Sequence, residues 1–159
     1  MGATFLPLCI PTAKGKEKLK TNIDLMQHNT ETLLIVDDEC IVRQFVGKLL
    51  QRLGYTVLQA ASGTEALGVW QEHKARIQLL LTDICMPNNM NGQDLAQRLL
   101  AEKPDLPVIY TSGYGDNLEV GKLKLVEGVN FISKPYQIKQ LTDLLRKHFD
   151  QESPVMVAA

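Results

Sequence analysis

The residues of this sequence that could do chemistry stand in four short polar groups, each at the end of an apolar run. The acidic run Asp37-Asp38-Glu39 follows the first apolar stretch, and Asp83 follows a later one. Thr111 closes another, and Lys134 comes directly after the last. Carboxylates, a hydroxyl and an ammonium can together hold a divalent cation and a neighbouring anion. Their combined chemistry depends on whether the fold brings them to one place.

Apolar runs and helical periodicities alternate from Glu31 onward. Leu33–Val36 has the composition of a strand buried on both faces, four further runs are predicted strands, and a helix is predicted after each of the five. Ser62 and Glu65 have the spacing of a capping box. The pattern predicts an α/β domain whose parallel sheet is covered by helices on both faces. The predicted strands are Leu33–Val36, Tyr55–Ala60, Gln78–Thr82, Pro107–Thr111 and Val129–Ser133, and the helices are about Val42–Leu53, Ser62–Lys74, Leu95–Lys103, Asp116–Val126 and Ile138–Phe149.

Each polar group also has an ordinary structural interpretation. Asp37 and Asp38 could cap the N-terminus of a helix. Asp83 could belong to an ordinary loop, Thr111 could simply end a strand, and Lys134 could be a solvated surface lysine. However, the carboxyl ends of the strands in an open parallel sheet meet along one edge, where ligands bind. Because all four groups stand at that edge, we interpret them as one acidic functional site.

The charges of such a site indicate its chemistry. Three carboxylates within a few ångström repel one another unless a cation compensates them. An all-oxygen site suits Mg²⁺, which takes phosphate oxygens as further ligands. A carboxylate can attack phosphorus to give an acyl phosphate, and a metal, a lysine and a hydroxyl can then stabilise the transferring oxygens. The set therefore indicates phosphoryl transfer to an aspartate.

Length, charge and cysteine content narrow the possible classes of protein. The chain has 159 residues, enough for one domain with a substantial core. Its net charge of −1 gives no basic surplus for nucleic acid, and no apolar run is long enough for a membrane helix. The three cysteines, Cys9, Cys40 and Cys85, have no C-x-x-C spacing and fit reduced thiols. We expect a cytoplasmic protein that contacts neither nucleic acid nor membrane.

Other kinds of phosphate or metal site are disfavoured. There is no G-x-x-x-x-G-K-[ST], and the first strand runs into DDE rather than G-x-G-x-x-G. A flavodoxin-like cofactor binder would therefore meet acidic residues where phosphate has to bind. His28, His73 and His148 are far apart in the sequence, so we interpret them as surface residues rather than metal ligands.

The motifs LLIVDDE, LLLTDICMP followed by NG, VIYTSG and FISKP, in that order, resemble the receiver domains of response regulators. The resemblance covers about Glu31 to Phe149. It implies a flavodoxin-like, doubly wound, five-stranded parallel sheet in the strand order 2-1-3-4-5, with five helices. It also implies a phosphoacceptor in a two-component phosphorelay, not a stand-alone enzyme. Its partner would be a histidine kinase or a histidine phosphotransfer domain, and the resemblance allows a homodimer.

The resemblance implies a role for individual residues. Asp83 would be phosphorylated, while Thr111 would hydrogen-bond the phosphoryl group and Lys134 would pair with it. Thr111 and Phe131 would form a switch that changes the interaction surface. The Lys134–Pro135 peptide would be cis.

The resemblance also implies a set of Mg²⁺ ligands. Asp38 would coordinate the cation directly, and Asp37 would do so mainly through water. Asp83 and the backbone carbonyl of Cys85 would complete the ligands that the protein supplies.

Residues 1–30 differ in character from the receiver at 31–149, which a flexible tail at 150–159 follows. Gly2 to Pro11 resembles the last strand of a histidine-kinase ATP-binding domain, so we interpret residues 1–30 as a kinase remnant and linker. The loop from Met86 to Gly92 resembles that of receivers attached to hybrid sensor kinases. An alternative function is a receiver-fold binding module that regulates a kinase without turnover of phosphate.

Overall fold

A computed structural model describes residues 30–87, 90–113, 124–135 and 137–150 of the chain. The five strands form one parallel sheet in the order β2-β1-β3-β4-β5, which confirms the predicted fold and strand order. The elements in chain order are β1 (Thr32–Val36), α1 (Cys40–Arg52), β2 (Thr56–Ala60), α2 (Gly63–His73), β3 (Ile77–Asp83), α3 (Gly92–Glu102), β4 (Val108–Ser112), β5 (Phe131–Ser133) and α4 (Ile138–Asp150).

The described residues contain four helices, whereas the sequence predicted five. Most of the predicted helix at 116–126 lies outside the described residues, and 124–126 are not helical. The strand predicted from Val129 begins at Phe131, because the preceding residues form a turn in which Gly128 has a φ of 72°. The predicted kinase remnant and the tail also fall outside the described residues, apart from Thr30 and Asp150.

The core has two layers, one on each face of the sheet. Along β1, Leu34 and Val36 face one layer, while Leu33 and Ile35 face the other. Helices α2 and α3 supply Trp70 and other residues to the first layer, and α1 and α4 supply the second. The unbroken apolar run of β1 is thus explained by burial on both faces. Within the described ranges, no helix is long and apolar enough to cross a bilayer.

Two helices begin with side-chain caps. The Ser62 hydroxyl accepts a hydrogen bond from the Glu65 backbone N–H, as predicted, but the Glu65 carboxylate accepts from Ala61 rather than from Ser62. A complete capping box that was not predicted begins α3: the side chains of Asn91 and Asp94 accept hydrogen bonds from each other's backbone N–H. This box fixes the start of α3 after the loop that follows β3.

Candidate functional site

The register of the sheet aligns the ends of four strands. Val36 lies beside Thr82, Asp83 beside Thr111, and Ser112 beside Ser133. The residues that close or follow these strands therefore meet at the carboxyl edge of the sheet, where open α/β sheets bind ligands. The structure brings together Asp37, Asp83, Thr111 and Lys134.

Lys134 lies at the centre of this group, and its side chain is 10% exposed. Its Nζ lies 2.9 Å from Asp37 Oδ2 and 3.2 Å from Glu39 Oε1, and it donates a hydrogen bond to Asp83 Oδ2. Burial lowers the pKa of Lys134, but its contacts with Asp83 and Asp37 outweigh that effect and raise the pKa above its ordinary value. The ammonium is therefore kept charged.

The backbone around this lysine is also fixed. The Lys134 N–H donates to the Ser112 carbonyl at 2.8 Å, which joins the end of β5 to the end of β4. The Lys134–Pro135 peptide is cis, which confirms the expectation from the resemblance.

Asp83 is the last residue of β3 and is buried. Its Oδ1 accepts a hydrogen bond from the Cys85 backbone N–H at 3.1 Å, while Oδ2 accepts from Lys134. Burial raises the pKa of Asp83, the contact with Lys134 opposes this, and the charge of Asp38 adds to the rise. The net pKa lies above the ordinary 3.8.

Asp37 follows β1 and is 2% exposed. Its Oδ1 accepts a hydrogen bond from the Glu39 backbone N–H at 2.9 Å, and its Oδ2 pairs with Lys134. Burial raises the pKa of Asp37, Lys134 opposes the rise, and the charge of Asp83 contributes to it. Both buried carboxyl groups therefore resist ionisation more than an exposed aspartate does.

The acidic groups suit a divalent cation. One carboxylate oxygen from each of Asp37, Glu39 and Asp83 lies within 4.8 Å of the others. Because a single ammonium leaves most of this negative charge uncompensated, an additional cation would stabilise the cluster. All of the donors are oxygens, which matches the preference of Mg²⁺. The residues present therefore fit the predicted cation.

The residues of the acidic cluster differ in part from the predicted Mg²⁺ ligands. Glu39 was not among the predicted ligands, although as the third acid of the DDE run it was a visible candidate. Asp38 is exposed and lies outside the tight cluster, and its role as a direct ligand stays a prediction. The backbone of Cys85 is placed beside Asp83 by its N–H, and the role of its carbonyl also stays a prediction.

The Thr111 hydroxyl has an unusual environment. Thr111 is 1% exposed, and its Oγ1 has no hydrogen-bond partner among the described residues. A buried polar group without a partner is destabilising, so this oxygen is available to a group bound at the adjacent Asp83. Phe131 lies buried on β5 opposite Tyr110 of β4, and its predicted role in a switch stays a prediction.

Gly92 allows α3 to begin close to the site. Its N–H donates to the Ile84 carbonyl at 3.1 Å. A Cβ at this position would lie 2.1 Å from the carbonyl oxygen of Asp83, closer than atoms can approach. The NG in the motif is therefore explained by a close backbone approach.

The mouth of the site is bordered by an exposed apolar patch on α1. Ile41 and Phe45 are 85% and 53% exposed. With Val42, Lys134 and Pro135 they line an open depression of about 350 Å³. We call these five residues the α1 patch.

Among the described residues, no large apolar side chain is more exposed than Ile41. A partner that approaches Lys134 from this side would cover the α1 patch.

The sequence matches the response regulator receiver domain family over residues 33–146. It is 32% identical over 142 residues to the sensor kinase CckA of Brucella abortus, a match that covers 89% of this chain and 15% of that protein. It is 28% identical over 123 residues to the sporulation initiation phosphotransferase F of Bacillus subtilis, covering 77% and 97% of the two chains. The chain spans 15%, 49% and 26% of the length of the first three curated relatives.

Solved structures agree with this assignment. The crystal structure of the receiver domain from the hybrid histidine kinase CckA is 34% identical with a TM-score of 0.61, and the match covers 74% of this chain and 97% of that one. A receiver domain protein from Clostridium thermocellum is 29% identical with a TM-score of 0.68, covering 77% and 96%. These relatives do not favour the alternative of a module without phosphate turnover. The chain belongs to the response regulator receiver domain family, the phosphoacceptor domains of two-component systems.

Proposed function

We propose that Asp83 of this receiver is the residue that accepts the phosphoryl group. A carboxylate oxygen of Asp83 attacks the phosphorus of a phosphohistidine and forms a new P–O bond. The P–N bond breaks, its electron pair stays on the imidazole nitrogen, and that nitrogen takes up a proton. The observation that carries the proposal is the contact of Asp83 Oδ2 with the half-buried Lys134 ammonium at the carboxyl edge of the sheet.

Neighbouring groups have distinct roles in this proposal. The Lys134 ammonium offsets the negative charge of the phosphoryl oxygens, and the unpartnered Thr111 hydroxyl donates a hydrogen bond to one of them. Asp37, Asp38, Asp83 and the Cys85 carbonyl would hold Mg²⁺, with Glu39 close by. When bound, the cation supplies charge stabilisation to the phosphoryl oxygens.

Labelling with acetyl [³²P]phosphate and Mg²⁺ tests the assignment of Asp83. We expect the natural chain to acquire a label that mild base and hydroxylamine remove, as an acyl phosphate requires, and D83N to acquire none. Asp105, exposed in the loop before β4, provides the control, because D105N removes a carboxylate away from the site. A label of the same stability on D83N would overturn the assignment.

We further propose that the donor protein docks on the α1 patch. A phosphorus atom reaches Asp83 only when the donor histidine enters the mouth of the site, so the donor covers the surface beside Lys134. That surface exposes Ile41 and Phe45 on one side of α1, where an apolar surface of a partner can bury them. A histidine phosphotransfer domain or the dimerisation domain of a histidine kinase fits these requirements.

Measuring phosphorylation with two different phosphodonors separates the docking of the donor from phosphoryl transfer itself. I41S/F45S is expected to slow transfer from a phosphorylated histidine phosphotransfer domain, while acetyl phosphate labels it at the natural rate. I138S, which changes an exposed apolar residue on α4, is the matched control. Equal loss with both donors would contradict the docking role.

We also propose that this receiver is a domain of a hybrid sensor kinase and lies in the cytoplasm. The similarity to CckA, in both the curated protein and the crystal structure, supports that setting. Among the described residues the thiol of Cys40 forms no disulfide, which suits a reducing compartment. An immunoblot of source cells with an antibody against residues 31–149 tests it: a band of kinase size supports the proposal, and a receiver-sized band alone contradicts it.

A further inference from the structure

Arg43 contacts the backbone of the acidic run rather than its carboxylates. It lies in the first turn of α1, and its Nη1 donates to the carbonyl oxygen of Asp37. The same nitrogen lies 3.5 Å from the carbonyl oxygen of Asp38. In the described part of the chain, Arg43 forms no ion pair with a carboxylate.

The helix dipole by itself disfavours a cation at this position, whereas the acidic run before the helix attracts one. The N-terminus of a helix carries partial positive charge, and α1 has no acidic residue in its first turn to offset an arginine. The guanidinium is instead satisfied by two carbonyl dipoles of the segment that precedes the helix. The contacts with the carbonyl oxygens of Asp37 and Asp38, beside this acidic run, therefore offset the unfavourable helix dipole and account for an arginine here.

The contact leaves the carboxylates available. Asp37 uses its side chain for the Glu39 N–H and for Lys134, and the Asp38 side chain is exposed. Arg43 thus holds the main chain between β1 and α1 without occupying an oxygen that a cation needs. A lysine could not do the same, because its ammonium ends one bond nearer the main chain than Arg43 Nη1 and would not reach the same point.

We propose that Arg43 is a positioning residue for the cation site, fixing the Asp37–Asp38 backbone so that both carboxylates face the cation. This inference rests on the proposed function, because it assigns Arg43 to the Mg²⁺ that phosphoryl transfer uses. Partners that orient metal ligands typically change metal affinity by about 10- to 100-fold when removed. Arg43 acts through carbonyls and not directly on the carboxylates, so we expect the lower end, roughly 10-fold.

Calorimetric titration of the full chain with Mg²⁺ is the main test. R43A is expected to bind Mg²⁺ about 10-fold more weakly, and R43K only slightly better than R43A. R52A is the matched control, because Arg52 stands exposed in the last turn of the same helix. The increase in melting temperature caused by Mg²⁺ should be smaller in R43A, whereas R52A should show the natural increase.

The Mg²⁺ dependence of labelling by acetyl phosphate distinguishes positioning from a general defect. For R43A, more Mg²⁺ should be needed for half-maximal rate, while the rate at saturating Mg²⁺ stays close to natural. If R43A matches R52A in Mg²⁺ affinity, the proposal is overturned. It is also overturned if R43A loses rate at saturating Mg²⁺ with unchanged affinity.

Two further controls keep the outcomes separate. If R43A does not fold, R43Q replaces it, because glutamine keeps an amide donor. If neither variant folds, Arg43 is needed for folding and the proposal is overturned. If the natural chain binds Mg²⁺ but acquires no label, the proposed function fails, and the titration still tests Arg43. Weaker Mg²⁺ binding by R43A therefore supports the positioning role by itself.

Discussion

The ammonium of Lys134 lies 2.9 Å from a carboxylate oxygen of Asp37, so the residue after β5 is tied to the residue after β1. Asp83, the last residue of β3, contacts the same ammonium. One half-buried lysine thus connects three strands at the edge where the phosphoryl group is expected to bind.

Replacing this lysine should strongly destabilise the fold. K134M leaves Asp37 and Asp83 buried without the cation they contact, and removing one partner of a buried ion pair typically costs about 3–5 kcal/mol. We expect a loss of this order in urea unfolding at about pH 7 without Mg²⁺. The loss should be smaller at about pH 4, where protonation removes the unpaired charges.

K139M is the control for this substitution. Lys139 forms an exposed pair with Asp143 one turn along α4, and exposed pairs of this kind contribute little to stability. Equal destabilisation by K134M and K139M would contradict the importance of the buried contact.

The two buried aspartates should give stability an inverse dependence on pH. Burial raises the pKa of Asp83 and of Asp37 above the ordinary 3.8. The native state therefore binds protons more tightly than the unfolded state, and the free energy of unfolding attributable to these groups falls as pH rises through this window. D83N should be more stable than the natural chain at about pH 7 without Mg²⁺, and the difference should shrink toward about pH 4.

Comparing D83N with the natural chain isolates the contribution of Asp83 to the pH dependence of stability. The pKa of Glu102 is lowered by its hydrogen bond from Lys74, and that of Asp143 by its hydrogen bond from Lys139, so both act in the opposite direction. They are unchanged in D83N, and only the difference in unfolding free energy is interpreted. A difference that stays constant over the window would contradict the raised pKa of Asp83.

Thr111 should contribute to phosphorylation at the expense of stability. Its buried hydroxyl has no partner in the described residues, and an unsatisfied polar group of this kind costs roughly 1–3 kcal/mol. T111V has nearly the same shape, so we expect a melting temperature equal to or above the natural one, together with slower labelling by acetyl phosphate.

T111S keeps the hydroxyl and should keep most of the labelling rate. If T111V is labelled as fast as the natural chain, the hydroxyl has no role in stabilising the phosphoryl group.

Gly92 and Gly68 should respond in opposite directions to alanine. A Cβ at Gly92 would lie 2.1 Å from the Asp83 carbonyl oxygen and 3.0 Å from Thr82 Oγ1, so G92A must displace α3 or β3. Such overpacking typically costs about 1–3 kcal/mol, and it would also disturb Asp83, the proposed phosphoacceptor. Gly68 lies in α2 with open space around it, so G68A should stabilise by about 0.5–1 kcal/mol.

Urea unfolding and labelling of both variants check this pair. Natural stability in G92A would mean that the loop after β3 adapts without cost, against our expectation. If G92A is destabilised but is labelled at the natural rate, the displacement of α3 or β3 leaves Asp83 in place, against our expectation.

The alternation of strands and helices, the parallel sheet and its polar edge could be predicted from the sequence, because they depend on periodicity. The apolar runs of β1 and β3 had to be buried on both faces, and each helix between them repeated apolar residues at helical spacing. The polar residues after the strands had to meet, because parallel strands end at one edge. The bounds of β5 were less predictable, because a turn at Gly128 delayed its start.

Tertiary structure decided the contacts within that edge. The sequence could not show that Glu39 is nearer the cluster than Asp38, that the Arg43 guanidinium bonds to backbone carbonyls, or that Gly92 lies against Asp83. These relationships depend on strand register and helix direction to within a few ångström, and local residue patterns do not encode distances between separate elements. The sequence thus determined which groups meet at the edge, and packing decided which atoms touch.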